Sequence, residues 1–251
     1  AGLDPKAMER AYETVSRRIG ISGMKDAAYA YTLGTLKNFQ DSPTMDANHQ
    51  RIYKKYLNRE NAFKKQGLYL RRTPLALLTK NKDGRKAYRY QGLDFTNDQD
   101  HSAWRPWMTI DKLREHKNFS YVGQRLVQQF REKGELVEIR TINLTTGKVA
   151  NYYCRTLVLC SGALRSARIV LRSQTGRDKV RRTPLLCNPY TYVPCLQPKM
   201  LGKAAERRKL GLGQLSLFYD PTASNFDLSV ASLYSYQSLM LFRILRQLPL
   251  N

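Results

Sequence analysis

The chain has 251 residues, of which 42% are hydrophobic and 10% aromatic, so it has enough apolar side chains for one large core or two small ones. Its formal net charge of +23 is spread over both halves and is not a basic tail. This composition argues against an intrinsically disordered chain, and no run of about 20 apolar residues predicts a membrane span.

Two helices are predicted in the N-terminal part. Residues 4–19 begin at Asp4, a capping residue, carry apolar residues at helical spacing and stop at Gly20. Residues 46–66 begin at Asp46 and stop at Gly67 in the same way. Turn residues interrupt the sequence between about 70 and 108, and a short helix is predicted at 109–115 with Thr109 as its cap. No secretory signal pattern follows Ala1.

Residues 119–155 predict a three-stranded antiparallel meander. Runs rich in β-formers at 119–130, 136–144 and 148–155 are joined by hairpin signals around Gly134 and Gly147. The continuous apolar run from Thr156 to Cys160 is typical of a strand buried on both faces of a parallel sheet. Gly162 then leads into a helix predicted at 163–173.

The junction at Ser161 and Gly162 is the main candidate for a ligand site. A glycine lets the backbone approach a ligand closely, and the N-terminus of the following helix offers free N–H groups to an anion. In open α/β sheets, ligands bind at the carboxyl ends of strands, which is where this junction is expected. The same junction is also common as a purely structural connection.

Residues 156–173 resemble the second signature of the glucose–methanol–choline (GMC) oxidoreductases. The likeness covers 157–159, Gly162, Ala163, Ser166, 168–171 and Ser173. The sequence departs from the family pattern at Ala167, where proline is usual, and at Gln174, where glycine is usual. The resemblance implies FAD as the cofactor. It assigns flavin-binding roles to a backbone position in the meander and to four positions around the glycine turn: Val127, Ser161, Gly162, Ala163 and Ser166.

The resemblance also implies an activity. The intact protein would oxidise an alcohol group of a small molecule or sugar by hydride transfer to the flavin, with an electron acceptor that the sequence leaves open. The family's G-x-G-x-x-G fingerprint is absent, and no stretch matches its C-terminal catalytic His. We therefore expect a piece of a longer enzyme that is inactive alone, and no catalytic base is assigned.

The expected fold class is α+β, with an antiparallel meander and part of a flavin-binding, Rossmann-like α/β domain. Residues 1–118 are expected to form a helical and irregular substrate-side segment, and 119–173 part of the FAD-binding domain. Residues 174–251 are expected to form a substrate-domain segment, with strands at 214–219 and 226–233 and a closing helix. Such an incomplete domain is expected to expose apolar surface and to associate.

Other polar and aromatic residues give weaker signals. Arg105 and Trp107 are candidates for a wall of the substrate site, because aromatic rings suit sugar faces, although such residues are often part of a core. The three histidines lack metal-ligand spacing and are predicted to be surface or satisfied structural residues. The four cysteines match no zinc spacing and are predicted to be buried thiols, which favours a reducing compartment such as the cytoplasm and leaves localisation open.

The charge supports an alternative function, that of a basic nucleic-acid-binding or other anion-binding protein without catalysis. Residues 51–89 hold 13 basic and 2 acidic side chains, and residues 165–209 hold 12 and 2. No known nucleic-acid-binding pattern is present, so we expect nucleic acid to bind only through non-specific charge. A family member that has lost its flavin is a third alternative.

Overall fold

A computed structural model describes residues 2, 4–26, 28–29, 36–90, 98, 100–174, 183–187, 191–195, 197–203, 206, 209–224, 227–235 and 246. The chain divides into a first unit, Ala1–Thr109 with Cys195–Asn251, and a second unit, Ile110–Pro194. The described elements are, in chain order, α1 (Pro5–Ile19), α2 (Ala47–Leu57), α3 (Glu60–Lys64), β1 (Leu68–Arg72), α4 (Pro106–Arg114), β2 (Arg125–Lys133), β3 (Leu136–Asn143), β4 (Val149–Cys154), α5 (Ala163–Gln174), a 3-10 turn (Pro198–Met200), β5 (Gly213–Tyr219) and β6 (Ser229–Tyr234).

The predicted N-terminal helices are present in the first unit. The Asp4 side chain accepts hydrogen bonds from two backbone N–H groups of the first turn of α1, and Gly20 ends the helix at φ +75°. Asp46 caps α2 by accepting a hydrogen bond from the backbone N–H of His49. The second predicted helix is divided in two, because Arg59, at φ −131°, leaves helical geometry between α2 and α3.

Three antiparallel strands form the sheet of the first unit, in the order β1-β5-β6. Leu70 pairs with Leu217, and Leu217 pairs with Ala231. Tyr56 of α2 is buried against one face of this sheet, in a cluster with Leu70 of β1 and Leu215 of β5. The strand predictions at 214–219 and 226–233 are confirmed in outline, whereas β1 was not predicted. The closing helix predicted after 233 lies outside the described residues.

The meander of the second unit is confirmed. Its strands pair in the order β2-β3-β4, and both hairpin turns contain the expected glycine at positive φ, Gly134 at +62° and Gly147 at +69°. Helix α5 packs beside β2, which is one of the two edge strands of this sheet. The backbone N–H of Phe130 donates to the Ser173 hydroxyl over 2.9 Å, and Ile169 is buried.

The buried strand predicted at 156–160 is wrong. These five residues belong to no strand, and the Val158 side chain is 74% exposed. An apolar run forms a buried strand only where neighbouring strands complete its hydrogen bonds, and both sheets of the described residues are antiparallel and formed elsewhere. The coarser prediction is confirmed, because helices and two small antiparallel sheets give an α+β fold.

Smaller differences concern one helix and the cysteines. Helix α4 begins at Pro106, so Thr109 lies within the helix and is not its cap. Among the cysteines, Cys154 is partly buried; the prediction of burial is wrong for Cys160, Cys187 and Cys195, which are exposed. Among the described helices, none has both the length and the apolar character needed to cross a membrane.

Candidate functional site

The candidate turn lies at the start of α5 and is held by two hydrogen bonds. The backbone N–H of Ser161 donates to the Ser166 hydroxyl over 3.2 Å, and the backbone N–H of Ser166 donates to the Gly162 carbonyl over 2.9 Å. Gly162 adopts φ +81°, a region that residues with a side chain rarely occupy. The structure therefore brings Ser161, Gly162, Ala163 and Ser166 together within one turn.

This turn is open to solvent. A Cβ atom placed on Gly162 would meet no atom within 4 Å, and residues 161–165 are all exposed. Gly162 has no side chain that could cap the first-turn N–H groups of α5, and the first N–H groups of a helix have no partner within the helix itself. The helix dipole adds partial positive charge at the same place. An anionic or carbonyl oxygen is the chemical group that fits this position.

Val127 lies on β2, in the same unit, at an irregularity of the strand. The pairing with β3 shifts between Val127, opposite Thr141, and Gln129, opposite Arg140, so Gln128 is an extra residue in a β-bulge. Bulges bend a strand and are frequent beside functional sites. Val127 is partly buried, and β2 has a strand partner on one side only. Helix α5, which begins at the candidate turn, packs beside this strand.

The two substrate-side candidates belong to the first unit. Trp107 is 42% exposed, and its ring meets that of His101 edge to face with 5.1 Å between centroids. Arg105 is partly buried. Burial acts to raise the pKa of the nearby Asp98 carboxyl, but hydrogen bonds from Ser102 and the following backbone, together with the Arg105 charge, hold that pKa below its usual value. Arg105 therefore helps to stabilise a loop carboxylate.

Two further arginines of the first unit have partners within the protein. The Arg85 guanidinium donates to three backbone carbonyls, those of Ile19, His101 and Ser102. Arg89 pairs with Asp100, with 2.5 Å between Nε and Oδ2. Arg85 thus joins segments of the first unit, and its role here is structural.

A buried polar cluster around His49 was not predicted. His49 is 1% exposed, its Nδ1 lies 2.8 Å from Oδ1 of Asp46, and its Nε2 lies 3.2 Å from the Leu233 carbonyl. Gln214 accepts from the backbone N–H of Asp46 and donates to its Oδ2. The prediction that His49 is a satisfied structural residue is confirmed. The capping Asp46 three residues earlier was a visible signal for this pair, whereas Gln214 is far away in the sequence.

A second buried cluster surrounds Asp26. Its Oδ1 lies 3.5 Å from Nε of Arg71, and both side chains are almost fully buried. Burial raises the pKa of the Asp26 carboxyl in spite of the opposing effect of the Arg71 charge. Burial and the neighbouring Asp26 also raise the pKa of Tyr53 to about 12. Arg71 donates to backbone carbonyls, including that of Met24, so this cluster joins β1 to the preceding segment.

The described residues of the two units show no metal site, and the cavity that they form in the first unit is small. No group of three or more His, Cys, Asp or Glu side chains among the described residues is arranged to hold a metal ion. A cavity of about 10 Å³ lies between Arg72, Leu210 and Gln214, and it has room for about one water molecule. The open turn before α5 therefore stays the best candidate for binding a ligand.

No protein-family model, curated protein or solved structure matches this chain. The assignment of a family and an activity consequently depends on the residues of the turn, the meander and α5.

Proposed function

We propose that this chain provides part of the flavin-binding wall and part of the substrate side of an FAD-dependent oxidoreductase of the GMC type. The substrate would be an alcohol group of a small molecule or a sugar. The observation that carries the proposal is the exposed turn at Gly162, which is left-handed, open in front and followed at once by a helix N-terminus. The order of meander, glycine turn and helix is the order that the resemblance implies, although the strand expected before the turn is not formed.

The residues of the second unit fit a flavin in specific ways. The absence of a side chain at Gly162 leaves room for the cofactor against the backbone, and the N–H of Ala163 belongs to the open first turn. Ser166 accepts a hydrogen bond from Ser161 and retains its own proton for donation. The backbone of Val127 would meet the adenine, as in the family that the sequence resembles. When bound, the flavin supplies the electron sink for hydride transfer from the alcohol carbon.

The first test is the absorption spectrum of the protein purified from its complete gene. We expect the two visible bands of an oxidised flavin, and we expect an alcohol or sugar substrate to bleach them. A protein without these bands, even after reconstitution with FAD, would contradict the proposal and favour the flavin-free or anion-binding alternatives.

A pair of glycine substitutions tests the turn itself. Gly162→Ala places a methyl group where the flavin would approach, whereas Gly147→Ala places one in a hairpin turn of the same unit. Both glycines have positive φ with open space around them, so both substitutions are expected to destabilise the fold by a similar amount, about 1 kcal/mol. We expect only Gly162→Ala to lower the flavin content. Equal flavin content in the two variants would show that the turn is not part of the flavin-binding site.

A further inference from the structure

The exposed side of α5 carries a stripe of three arginines. Arg165, Arg168 and Arg172 are three and four residues apart, so they share one helix face over about 10 Å, and all three are exposed. None of their guanidinium groups forms a hydrogen bond or an ion pair with another residue in the part of the chain that the structure describes. We refer to these residues as the arginine stripe.

The stretch of sequence that contains the arginine stripe lacks acidic residues. Residues 139–177 contain seven Lys and Arg residues and no Asp or Glu. Like charges at these spacings repel one another on a helix. In addition, Arg165 lies in the first turn, where the helix dipole is already positive and where no acidic residue is present. Arg172 lies in the last turn, where a positive charge suits the helix dipole, so the unfavourable contributions come from Arg165 and from the repulsion along the stripe. Such local conflicts are expected at functional sites.

We propose that the arginine stripe is a docking surface for an acidic segment of a partner protein. Guanidinium groups bind carboxylates with two parallel hydrogen bonds, and a negatively charged partner would remove the repulsion along the stripe. Leu164, which is 70% exposed beside Arg165, supplies the apolar contact that protein interfaces combine with a charged rim. This docking requires no flavin, so it goes beyond the oxidoreductase proposal and is tested separately from it.

The exposed face of α5 argues against the other polyanions. It presents Leu164, Arg165, Arg168, Arg172 and Gln174, and none of these side chains is an aromatic ring on which bases of a single strand would stack. The main apolar side of the helix, around the buried Ile169, faces the meander and is not free to enter a bilayer. An acidic polypeptide is the partner class that this face suits best.

The test measures the binding of a fluorescent oligoglutamate peptide to the full-length protein by anisotropy at low salt. The variant Arg165→Gln/Arg168→Gln/Arg172→Gln removes the stripe. The matched control, Lys54→Gln/Lys55→Gln/Arg59→Gln, removes the same charge from exposed positions at the end of α2. Circular dichroism checks that both variants fold. We expect the stripe variant to bind about tenfold more weakly than the wild type and the control to change by less than about twofold.

A variant that keeps the positive charge distinguishes the effect of paired hydrogen bonds from that of electrostatic attraction alone. In Arg165→Lys/Arg168→Lys/Arg172→Lys, we expect binding between that of the wild type and that of the glutamine variant, because Lys cannot form the paired hydrogen bonds. Equal losses in the stripe and control variants, or no binding of the peptide by the wild type, would overturn the proposal. So would tighter binding of oligo-dT or phosphatidylserine vesicles that depends on the stripe, since the partner would then carry phosphates.

Discussion

At the scale of single residues, Asp46 connects three elements of the first unit. Burial by itself would raise the pKa of its carboxyl group, but hydrogen bonds from the His49 side chain and backbone hold that pKa below its usual value. The same carboxylate accepts a hydrogen bond from Gln214 on β5, and His49 reaches the Leu233 carbonyl on β6. Both ring nitrogens of His49 therefore lie within hydrogen-bonding distance of oxygen atoms, one of a carboxylate and one of a backbone carbonyl.

Asp46→Asn is expected to lower the free energy of unfolding by about 1–3 kcal/mol at neutral pH. The amide nitrogen of the new side chain would face either Gln214 or His49, both of which donate hydrogen bonds to this carboxylate. Urea unfolding of both proteins measures the difference. As a control, Asp41→Asn removes a carboxylate that pairs with Lys80 in an exposed position, where we expect a loss below about 1 kcal/mol.

The pH dependence of this difference follows from the direction of the pKa shift. The folded-state pKa of Asp46 lies below the ordinary value of an aspartate, so its charge stabilises the fold at higher pH. That stability is lost as the pH falls through the folded-state pKa. The part of the gap between wild type and Asp46→Asn that comes from the charge of this carboxylate should thus narrow as the pH falls through the ordinary aspartate range, about pH 4. A gap that widens in acid would contradict this account.

Residues of the two buried clusters show that the sequence predicts local contacts and misses contacts between distant residues. Asp46 was predicted as a helix cap because a capping side chain acts within three residues of its own position. The Gln214 contact, and the pairing of buried Arg71 with Asp26, join residues that are distant in sequence. Strand β1 could not be predicted from the sequence because it contains two adjacent arginines, Arg71 and Arg72. Buried charges are rare, and these residues interrupt the alternation of apolar and polar side chains that indicates a strand.

At the scale of elements, Ser173 attaches α5 to the meander. Its hydroxyl accepts a hydrogen bond from the backbone N–H of Phe130 on β2 and donates one to the Ile169 carbonyl within the helix. The N–H of an edge strand needs a partner when a helix covers it. This serine therefore fixes α5 beside the strand that contains Val127.

Ser173→Ala is expected to destabilise the protein by about 1–3 kcal/mol, because the Phe130 N–H would lose its partner in a partly buried position. The control is Ser120→Ala at an exposed position of the same unit, for which we expect a change within about 0.5 kcal/mol. Hydrogen exchange of the Phe130 amide, measured alongside urea unfolding, should become faster in Ser173→Ala alone. An unchanged exchange rate would show that the serine does not hold this strand edge.

The elements that were predicted correctly are those specified by residues close together in the sequence, such as turn glycines and helix caps. The turns at Gly134 and Gly147 need positive φ, so the sequence marks both hairpins of the meander. Capping marks the starts of α1 and α2. The run from Thr156 to Cys160 was misread because its apolar residues specify burial without specifying the strands that would cover them. The glycine turn that follows was located correctly, since Gly162 is a local requirement.

At the scale of the whole molecule, charge and exposed apolar surface oppose each other. The net charge of +23 makes copies of the chain repel one another. Several large apolar side chains of the second unit are more than 60% exposed, namely Val158, Leu164, Leu185, Leu186 and Val193. Exposed apolar surface of this kind favours association. Which effect dominates should depend on how far the charges act through the solvent.

We therefore expect the protein to associate more strongly as salt rises. The screening length falls from about 30 Å at 0.01 M salt to about 10 Å at 0.1 M and 3 Å at 1 M, so repulsion weakens while apolar attraction persists. Light scattering against NaCl concentration measures this association. Val158→Ser/Leu186→Ser should reduce it more than Leu57→Ser/Leu201→Ser, which changes two exposed apolar residues of the first unit. Scattering that falls as salt rises would show instead that ionic contacts hold the copies together.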